Sequence, residues 1–249
     1  MKLTVFGGCG AWPAAGQACS GYLAEHEGFR LLIDPGYAVV PRLLEHLAAT
    51  EVDAVLVSHG HPDHCADVHP LLRARTFGGD SPGPLPIHAP PGAVDRVVTL
   101  SGPDSLRDSY TVHTFEPGEE FAIGPFGVRS VRLPHFVLNA GVRLSAGGKV
   151  LSYTGDTGPS PDLVDLARDA DLFLAEATYP ERVPAEDAAY LSSARQAGEN
   201  AAAAGAGRLL LTHLWPGTDP AAAEAAARRS YDGPLAVARM GLVADLDGA

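Results

Sequence analysis

Cysteine is scarce in this chain, which has three cysteines in 249 residues. Cys9, Cys19 and Cys65 show no C-x-x-C spacing, so no disulfide framework is indicated, and such sparse use is typical of a reducing cytoplasm. No apolar run reaches the roughly 18 residues that suggest a transmembrane helix. The start MKLTVFGG predicts a strand and lacks the apolar segment of a signal peptide. We therefore expect a cytoplasmic protein without a membrane partner.

Positive charge is also in short supply. The 18 Lys and Arg residues are outnumbered by 30 Asp and Glu residues, which gives a net charge of −12. A surface that binds a long polynucleotide usually needs a basic patch, and no basic run here is longer than Arg228-Arg229. Metal ions would add local positive charge at a site without a basic surface. We expect a small anionic substrate and no long nucleic acid.

The chain is long enough for one large domain with a substantial core. Its hydrophobic content of 46% is ordinary for a globular protein. The Gly/Pro-rich stretch at residues 78–86 is short and predicts a surface loop rather than a linker. We therefore predict a single domain over residues 1–249.

Short apolar runs alternate with helical patterns, and we predict thirteen strands and six helices. Two of the helices are expected near Val39–Ala49 and Gly92–Ser101. Gly147-Gly148 separates two of the strands and predicts a hairpin turn. Hairpins followed by helices in both halves favour an α/β protein in which two mixed sheets pack together with helices outside.

The most informative segment is the H-x-H-x-D-H run at residues 59–64, directly after a buried strand predicted at Val52–Val57. Imidazole and carboxylate groups are ligands for a borderline metal such as zinc. The first two histidines lie two apart on an extended segment, so they share a face and can bind one ion. The aspartate and the last histidine turn off that line and can reach a second ion. The candidate ligands are His59, His61, Asp63 and His64.

Three isolated residues downstream complete the pattern. His135, Asp156 and His213 each follow an apolar run at a point where Gly, Pro or Thr marks the end of a strand. A lone histidine is more often an ordinary core or surface residue, but four strand ends that converge would bring five histidines and two aspartates together. Such a set fits two adjacent metals that share a carboxylate and a hydroxide.

The order SHGHPDH, LPHF, YTGDTG and LLTHLWP resembles the metallo-β-lactamase superfamily in its ribonuclease Z-like and phosphodiesterase-like branch. The opening KLTVFGGCGAWP, the hairpin GYLAEHEGFRLLIDPG and the segment LFLAEATY extend the resemblance over nearly the whole chain. It implies a four-layer αββα sandwich and two metals. We expect zinc, with manganese or iron as alternatives because carboxylate bridging suits harder ions. The resemblance also implies a ligand set: His59, His61 and His135 on the first metal, Asp63, His64 and His213 on the second, and Asp156 bridging.

Asp63, Tyr190 and Glu176 are the candidate catalytic residues. Glu176 and Asp34 could each orient a ligating histidine through its second nitrogen, or each could be an ordinary carboxylate at a strand end. Tyr190 stands where the resemblance places a histidine that assists phosphate chemistry. A phenol, with a reference pKa of about 10, is a poor proton shuttle, so Tyr190 is either a substrate contact or a packing residue. Cys65, beside the metal loop, is read as a buried hydrophobe or as a nearby thiol.

We interpret the chain as a hydrolase that uses a zinc-activated hydroxide on a phosphodiester, either a cyclic nucleotide or a short oligonucleotide. The segment between His135 and Asp156 has room for one hairpin only, which leaves no place for the arm that clamps tRNA in tRNA-processing members. One alternative is hydrolysis of a lactone or thioester at the same site. Another is a metal-binding accessory protein without catalysis, for which Tyr190 is the only hint. A homodimer is compatible with all three.

Overall fold

Two seven-stranded β-sheets form the centre of the protein in a computed structural model that describes residues 1–79 and 82–248. Residues 80 and 81 of the predicted surface loop lie outside the described residues. In spatial order, the first sheet contains β14 (Val243–Asp245), β1 (Lys2–Gly7), β2 (Gly21–His26), β3 (Phe29–Ile33), β4 (Ala54–Leu56), β5 (Leu85–Ala89) and β6 (Tyr110–Thr114). The second contains β13 (Leu235–Val237), β12 (Leu209–Thr212), β11 (Leu172–Glu176), β10 (Lys149–Tyr153), β9 (Asn139–Ala146), β8 (Phe126–Leu133) and β7 (Glu120–Ile123).

Both sheets are mixed in the same way. In the first sheet, β14, β1, β2 and β3 pair antiparallel, and β3 to β6 pair parallel. In the second sheet, β7 to β10 pair antiparallel, and β10 to β13 pair parallel. Parallel pairing requires a crossover over one sheet face, and these crossovers contain the helices. The helices are α1 (Val39–Leu43), α2 (Pro62–Cys65), α3 (Val68–Phe77), α4 (Asp95–Val98), α5 (Asp162–Ala167), α6 (Ala194–Ala204) and α7 (Pro220–Ala227).

Apolar side chains fill three layers between these elements. The central layer lies between the two sheets and takes residues from both, such as Leu31 and Ile33 from β3 and Leu144 from β9. Leu32, between the two β3 residues, points the other way and packs under the helices of the first half. A third cluster lies between the second sheet and α6 and α7. Strands buried on both faces explain the near-continuous apolar runs in the sequence. The expected αββα sandwich with two mixed sheets is confirmed.

The structure differs from the predicted elements in two respects. The strand β7 and the four-residue helix α2 are absent from the prediction, because each is too short to show a periodic pattern. The helices predicted at Val39–Ala49 and Gly92–Ser101 are confined to α1 and α4. Neither of these two helices has a side-chain cap at its first turn. Among the described residues, no helix is long and apolar enough to cross a membrane.

One histidine outside the predicted ligand set should make stability depend on pH. His88 of β5 stacks on His113 of β6, with ring centroids 4.8 Å apart, and on Phe121 of β7, with centroids 5.9 Å apart. Burial, together with the neighbouring His113, lowers the pKa of His88 to about 4. Between pH 6.5 and 4 the unfolded chain therefore binds a proton at this position that the folded chain does not, and stability falls as the pH falls.

The substitution His88→Phe keeps the stacked ring and removes the titration. We expect the variant to lose less unfolding free energy than the parent protein between pH 6.5 and 4, measured by urea unfolding at each pH. His46→Phe changes an exposed histidine away from the stack and serves as the control. Equal pH slopes for the parent and His88→Phe would contradict this account.

Candidate metal centre

The seven predicted ligands meet where the carboxyl ends of four strands come together. Residues 59–64 follow β4 of the first sheet, whereas His135, Asp156 and His213 follow β8, β10 and β12 of the second. The ligand atoms form two groups, each with all its atoms within 4.8 Å of one another. One group is His59, His61, His135 and Asp156, and the other is Asp63, His64, Asp156 and His213. Asp156 belongs to both, so the side chains form two adjacent cation sites with one shared carboxylate.

A change of backbone conformation inside the motif separates the two groups. His61 is extended, with φ −73° and ψ 142°, and Pro62 begins the helix α2 directly after it. Proline is favoured at this first helical position because its missing N–H costs no hydrogen bond there. His59 and His61 therefore lie on the extended segment, while Asp63 and His64 lie on the helical turn. This is the local reason why neighbouring residues point to different sites.

The nitrogen and oxygen atoms of the ligands lie close together within each group. In the first group, His61 Nδ1 and His135 Nε2 lie 3.0 Å apart, and His59 Nε2 lies 3.7 Å from Asp156 Oδ2. In the second group, His213 Nε2 lies 3.0 Å from Asp156 Oδ2 and 3.2 Å from Asp63 Oδ2. Several acceptors and imidazole nitrogens thus point toward two common positions rather than toward separate partners.

Unpartnered buried atoms show that this donor set fits metal ions. His59 Nε2, His64 Nε2 and Asp156 Oδ1 are buried and have no hydrogen-bond partner among the described residues. His64 Nε2 and Asp156 Oδ1 are only 3.2 Å apart, yet they do not have hydrogen-bond geometry. Buried polar atoms without partners are costly in proteins. A divalent cation in each group would satisfy them, and mixed imidazole and carboxylate ligands suit zinc or a neighbouring transition metal.

Asp34 orients two of the histidines through one buried network. Asp34 Oδ2 accepts hydrogen bonds from His64 Nδ1 at 2.8 Å, from the Ser58 hydroxyl at 2.5 Å and from the Tyr153 hydroxyl at 2.8 Å. Because the Ser58 hydroxyl donates to Asp34, it is free to accept from His59 Nδ1, 3.0 Å away. Both rings therefore keep Nε2 as the free nitrogen that faces the centre. Such outer partners fix the tautomer and angle of a ligating histidine.

Glu176 has the corresponding place behind His213, but it acts through a threonine. Thr178 donates its hydroxyl hydrogen to Glu176 Oε1 at 2.6 Å and lies 2.9 Å from His213 Nδ1, from which it can accept. Glu176 also accepts hydrogen bonds from the backbone N–H groups of Thr157 and Ser192. It touches none of the ligand atoms through a hydrogen bond. Glu176 is therefore placed as a positioning residue for the loop after β10 and for His213.

The structure also shows where the remaining candidates lie. Asp63 Oδ2 accepts a hydrogen bond from the backbone N–H of Ala11 at 2.7 Å, so the loop after β1 holds this carboxylate. Tyr190 contacts the centre through its carbonyl oxygen, which accepts from His135 Nδ1 at 2.9 Å, and not through its phenol. Cys65 is buried, its thiol donates to the His61 carbonyl, and burial raises its pKa to about 12. These properties favour the interpretation of Cys65 as a buried hydrophobe.

Sequence reasoning missed three polar residues of this network. Ser58 and Thr178 lie next to predicted segments, within SHGHPDH and within EAT, but only the fold brings their hydroxyls to a ring nitrogen. Tyr153 ends a strand and reads as an ordinary core aromatic residue until its hydroxyl is seen on Asp34. The signals that could have found them are their positions: each is within two residues of a candidate site residue or in the strand before Asp156.

Charges are distributed differently in the two groups. Burial lowers the pKa of His59 well below its usual value, and burial also lowers the pKa of the other two histidines of the first group. Burial would also lower the pKa of His64 and His213, but Asp156 and Asp63 outweigh it; the pKa of His64 is well above its usual value and that of His213 is raised to about 10. Metal ligation requires neutral imidazoles, so metal binding at the second group would be coupled to release of protons from these two rings.

Two site residues have a left-handed backbone. Asp34 has a φ of 46° and His213 a φ of 62°, a region that costs energy for residues other than glycine. Backbone hydrogen bonds hold both: the Asp34 N–H donates to the Leu56 carbonyl, and the His213 N–H donates to the Gly8 carbonyl. The residue after His213 also pairs with the loop after β1. That loop also fixes the His213 ring, because a Cβ atom on Gly10 would lie 2.6 Å from its Cε1 and Nδ1 atoms.

Gly10→Ala should therefore disturb the second group of ligands without changing any ligand. The added methyl must push the His213 ring away from Asp63 and Asp156, so we expect weaker metal binding by roughly the 10–100-fold typical of lost outer-sphere support. Chelator competition measures the affinity of each site. Gln17→Ala, which shortens an exposed side chain in the same loop, is the control. If both variants bound metal like the parent protein, the close contact at Gly10 would not support the site.

Comparisons with known proteins give a consistent result. A family model for the β-lactamase superfamily domain matches residues 29–214. The protein named "Probable metallo-hydrolase YhfI" from Bacillus subtilis is 34% identical over 86% of this chain and 87% of its own length. A ribonuclease Z from Kineococcus radiotolerans is 30% identical over 91% of this chain and 88% of its own length.

Solved structures agree with these sequence matches. The crystal structure of the metallo-β-lactamase fold protein YhfI from Bacillus subtilis superposes with a TM-score of 0.89, at 30% identity, over 98% of both chains. The short form of human tRNase Z superposes with a TM-score of 0.78 over 99% of both chains, and at 22% identity this is a likeness of fold.

Proposed function

Because the chain belongs to the β-lactamase superfamily, we propose that it is a hydrolase that binds two divalent metal ions and cleaves phosphodiesters. One observation supports the two-metal proposal above all others. Asp156 lies in both groups of candidate ligands, so two cations at these positions would share its carboxylate. Paired metals of this kind serve in-line displacement at phosphorus, where charge develops on both the attacking and the leaving oxygen.

The residues would divide between the metals as the two groups divide. His59, His61 and His135 would hold the first, Asp63, His64 and His213 the second, and Asp156 both. Zinc is the proposed metal because five of the seven ligands are imidazoles, with manganese or iron as alternatives. When bound, such metals supply a nucleophile at neutral pH and offset charge that develops on substrate oxygens.

The chain's own residues have separable tasks in this proposal. Asp34 and Ser58 hold His64 and His59, and Glu176 holds His213 through a threonine, so the ligands are fixed before substrate arrives. Asp63 would hold the second metal as a carboxylate, which must be ionised to bind a cation. Burial would raise the pKa of its carboxyl, but His64 and His213 outweigh burial and hold that pKa far below its usual range. Asp63 is therefore ionised at neutral pH.

We propose a small phosphodiester, such as a cyclic nucleotide or a short oligonucleotide, rather than tRNA. The net charge of −12 is unfavourable for binding a long phosphate backbone. In addition, the segment between His135 and Asp156 holds only the strands β9 and β10 and their tight turn at Gly147-Gly148. That segment has no room for a clamping arm.

A substrate panel tests the proposal. Purified protein is assayed with bis-(4-nitrophenyl) phosphate, cyclic nucleotides, a lactone and a thioester, each with added zinc or manganese. We expect metal-dependent turnover of the phosphodiesters, lost in His61→Ala and kept in His46→Ala, which removes an exposed histidine outside the centre. Turnover of the lactone or thioester alone would move the function to acyl hydrolysis at the same site. Full metal content without turnover of any substrate would indicate a metal-binding accessory protein.

A further inference from the structure

Two large aromatic side chains are exposed beside the metal centre. The Phe136 side chain is 53% exposed and that of Tyr190 is 39% exposed. Their ring centroids are 4.5 Å apart and the ring planes are inclined by 38°, so the rings contact each other at the surface. We call these two residues the aromatic pair. Apolar area that stays in contact with water contributes nothing to folding, and clustered exposed apolar residues next to a site mark places where ligands bind.

The aromatic pair is fixed to the metal centre from two directions. Phe136 follows His135 directly, and the centroids of these two rings lie 5.3 Å apart. The backbone of Tyr190 accepts the hydrogen bond from His135 Nδ1. These contacts set the distance between the rings and the ligand group of the first metal.

Gly158 packs against the segment that contains Tyr190. Gly158, in the loop that contains Asp156, donates its N–H to the Pro134 carbonyl at 2.8 Å. A Cβ atom on Gly158 would lie 2.2 Å from the Ala189 carbonyl oxygen and 2.7 Å from Tyr190 N, so only glycine allows this close approach. The segment with Tyr190 is thus packed directly on the loop of the shared carboxylate. An exposed aromatic surface with such backbone support is preorganised rather than mobile.

We propose that the aromatic pair is a stacking subsite for the nucleobase of a nucleotide phosphodiester whose phosphate lies at the metal centre. The inference rests on the proposed function and names the part of the substrate outside the phosphate. Every nucleobase has a flat π face, and stacking on aromatic side chains binds it with little sequence preference. Stacking also needs no positive charge, which suits a chain with a net charge of −12. Phe136 and Tyr190 are therefore specificity-determining residues in favour of nucleotides over phosphodiesters without a base.

The hydroxyl of Tyr190 is a separate element of the subsite. Within residues 1–79 and 82–248 it has no hydrogen-bond partner, whereas its ring is in contact with Phe136. If stacking is the main role, Tyr190→Phe should bind a nucleotide as the parent protein does, and Tyr190→Ala should not. This comparison separates the ring from the phenol and from a proton-transfer role of Tyr190.

Binding of adenosine tests the subsite independently of hydrolysis, because adenosine has no phosphate. Calorimetry or NMR titration of the purified protein should detect adenosine binding that weakens roughly 5- to 150-fold in Phe136→Ala, the range expected for loss of one stacked base. Phe136→Tyr keeps an aromatic ring and should bind adenosine as the parent protein does. Phe77→Ala removes a phenylalanine that is 65% exposed on α3, away from the centre, and is the matched control. Equal affinity in the parent protein and Phe136→Ala would overturn the proposal.

Kinetics with and without a base provide the second test. For 3′,5′-cyclic AMP, Phe136→Ala should lower kcat/KM by the same factor, mainly through KM, while a ribose 3′,5′-cyclic phosphate without a base should be turned over unchanged. An equal loss for both substrates would overturn the subsite and leave the phosphodiesterase proposal standing. Adenosine binding that depends on Phe136, in a protein without phosphodiesterase activity, would support the subsite and contradict the proposed function. A dimer that dissociates in Phe136→Ala would show that the pair covers a second copy, and would also overturn the proposal.

Discussion

Asp156→Asn should lower both the metal content and the activity. Asp156 is common to the two ligand groups, and its carboxylate faces four imidazoles at 3.0–3.7 Å. Asparagine has nearly the same shape but no charge, and its amide nitrogen cannot bind a cation. We expect the metal content to fall from about two ions per chain to one or none. The turnover rate should fall by more than about 10³-fold, since loss of a single preorganised electrostatic group already costs 10²–10³.

Elemental analysis of gel-filtered protein and the phosphodiester assay measure these two effects. Asp162→Asn, which changes an exposed aspartate at the start of α5, should behave as the parent protein does. Circular dichroism at matched metal concentration checks that Asp156→Asn remains folded. A variant with its full metal content would mean that the two groups do not share this carboxylate and that the two-metal proposal is wrong.

Asp34→Asn should destabilise the protein and weaken metal binding together. One oxygen of Asp34 accepts three hydrogen bonds and the other accepts one from the Ser58 backbone N–H at 2.6 Å. An amide nitrogen in place of either oxygen would face a donor, which leaves buried donors without partners. We expect a loss of about 2–4 kcal/mol in the free energy of unfolding and 10- to 100-fold weaker metal binding at the His64 site.

Backbone strain cannot account for that result, because asparagine adopts a φ of 46° as readily as aspartate does. Urea unfolding at fixed metal concentration gives the stability, and competition with a chelator gives the affinity. Asp53→Asn replaces an exposed carboxylate that accepts one backbone hydrogen bond, from Arg30, and should cost far less. If the two variants were equally stable, the Asp34 network would not be the support that its geometry indicates.

The sequence predicts the candidate ligands because each has a local signal. His135, Asp156 and His213 follow apolar runs that end in Gly, Pro or Thr, and strand ends of one direction meet at one edge. The support around them has no local signal. Thr178 becomes a partner of His213 only when β11 and β12 pair side by side.

Tyr190 illustrates the same limit at the level of a single residue. The sequence drew attention to its phenol, whereas the contact with His135 uses its carbonyl oxygen. Every residue has a carbonyl group, so no residue type can predict such a contact. The short elements α2 and β7 were missed for a related reason, since four residues are too few to reveal a period.

The metal ligands come from both sheets, so bound metal would affect how the protein unfolds. His59, His61, Asp63 and His64 belong to the first half of the chain, whereas the other three ligands belong to the second. Two ions bound here would cross-link the two halves of the chain, and the halves could not separate on unfolding without releasing the ions. The free energy of unfolding would then rise by about 1.4 kcal/mol per site for each tenfold increase in free metal concentration above the dissociation constant. Resistance to heat and to proteolysis would rise with it.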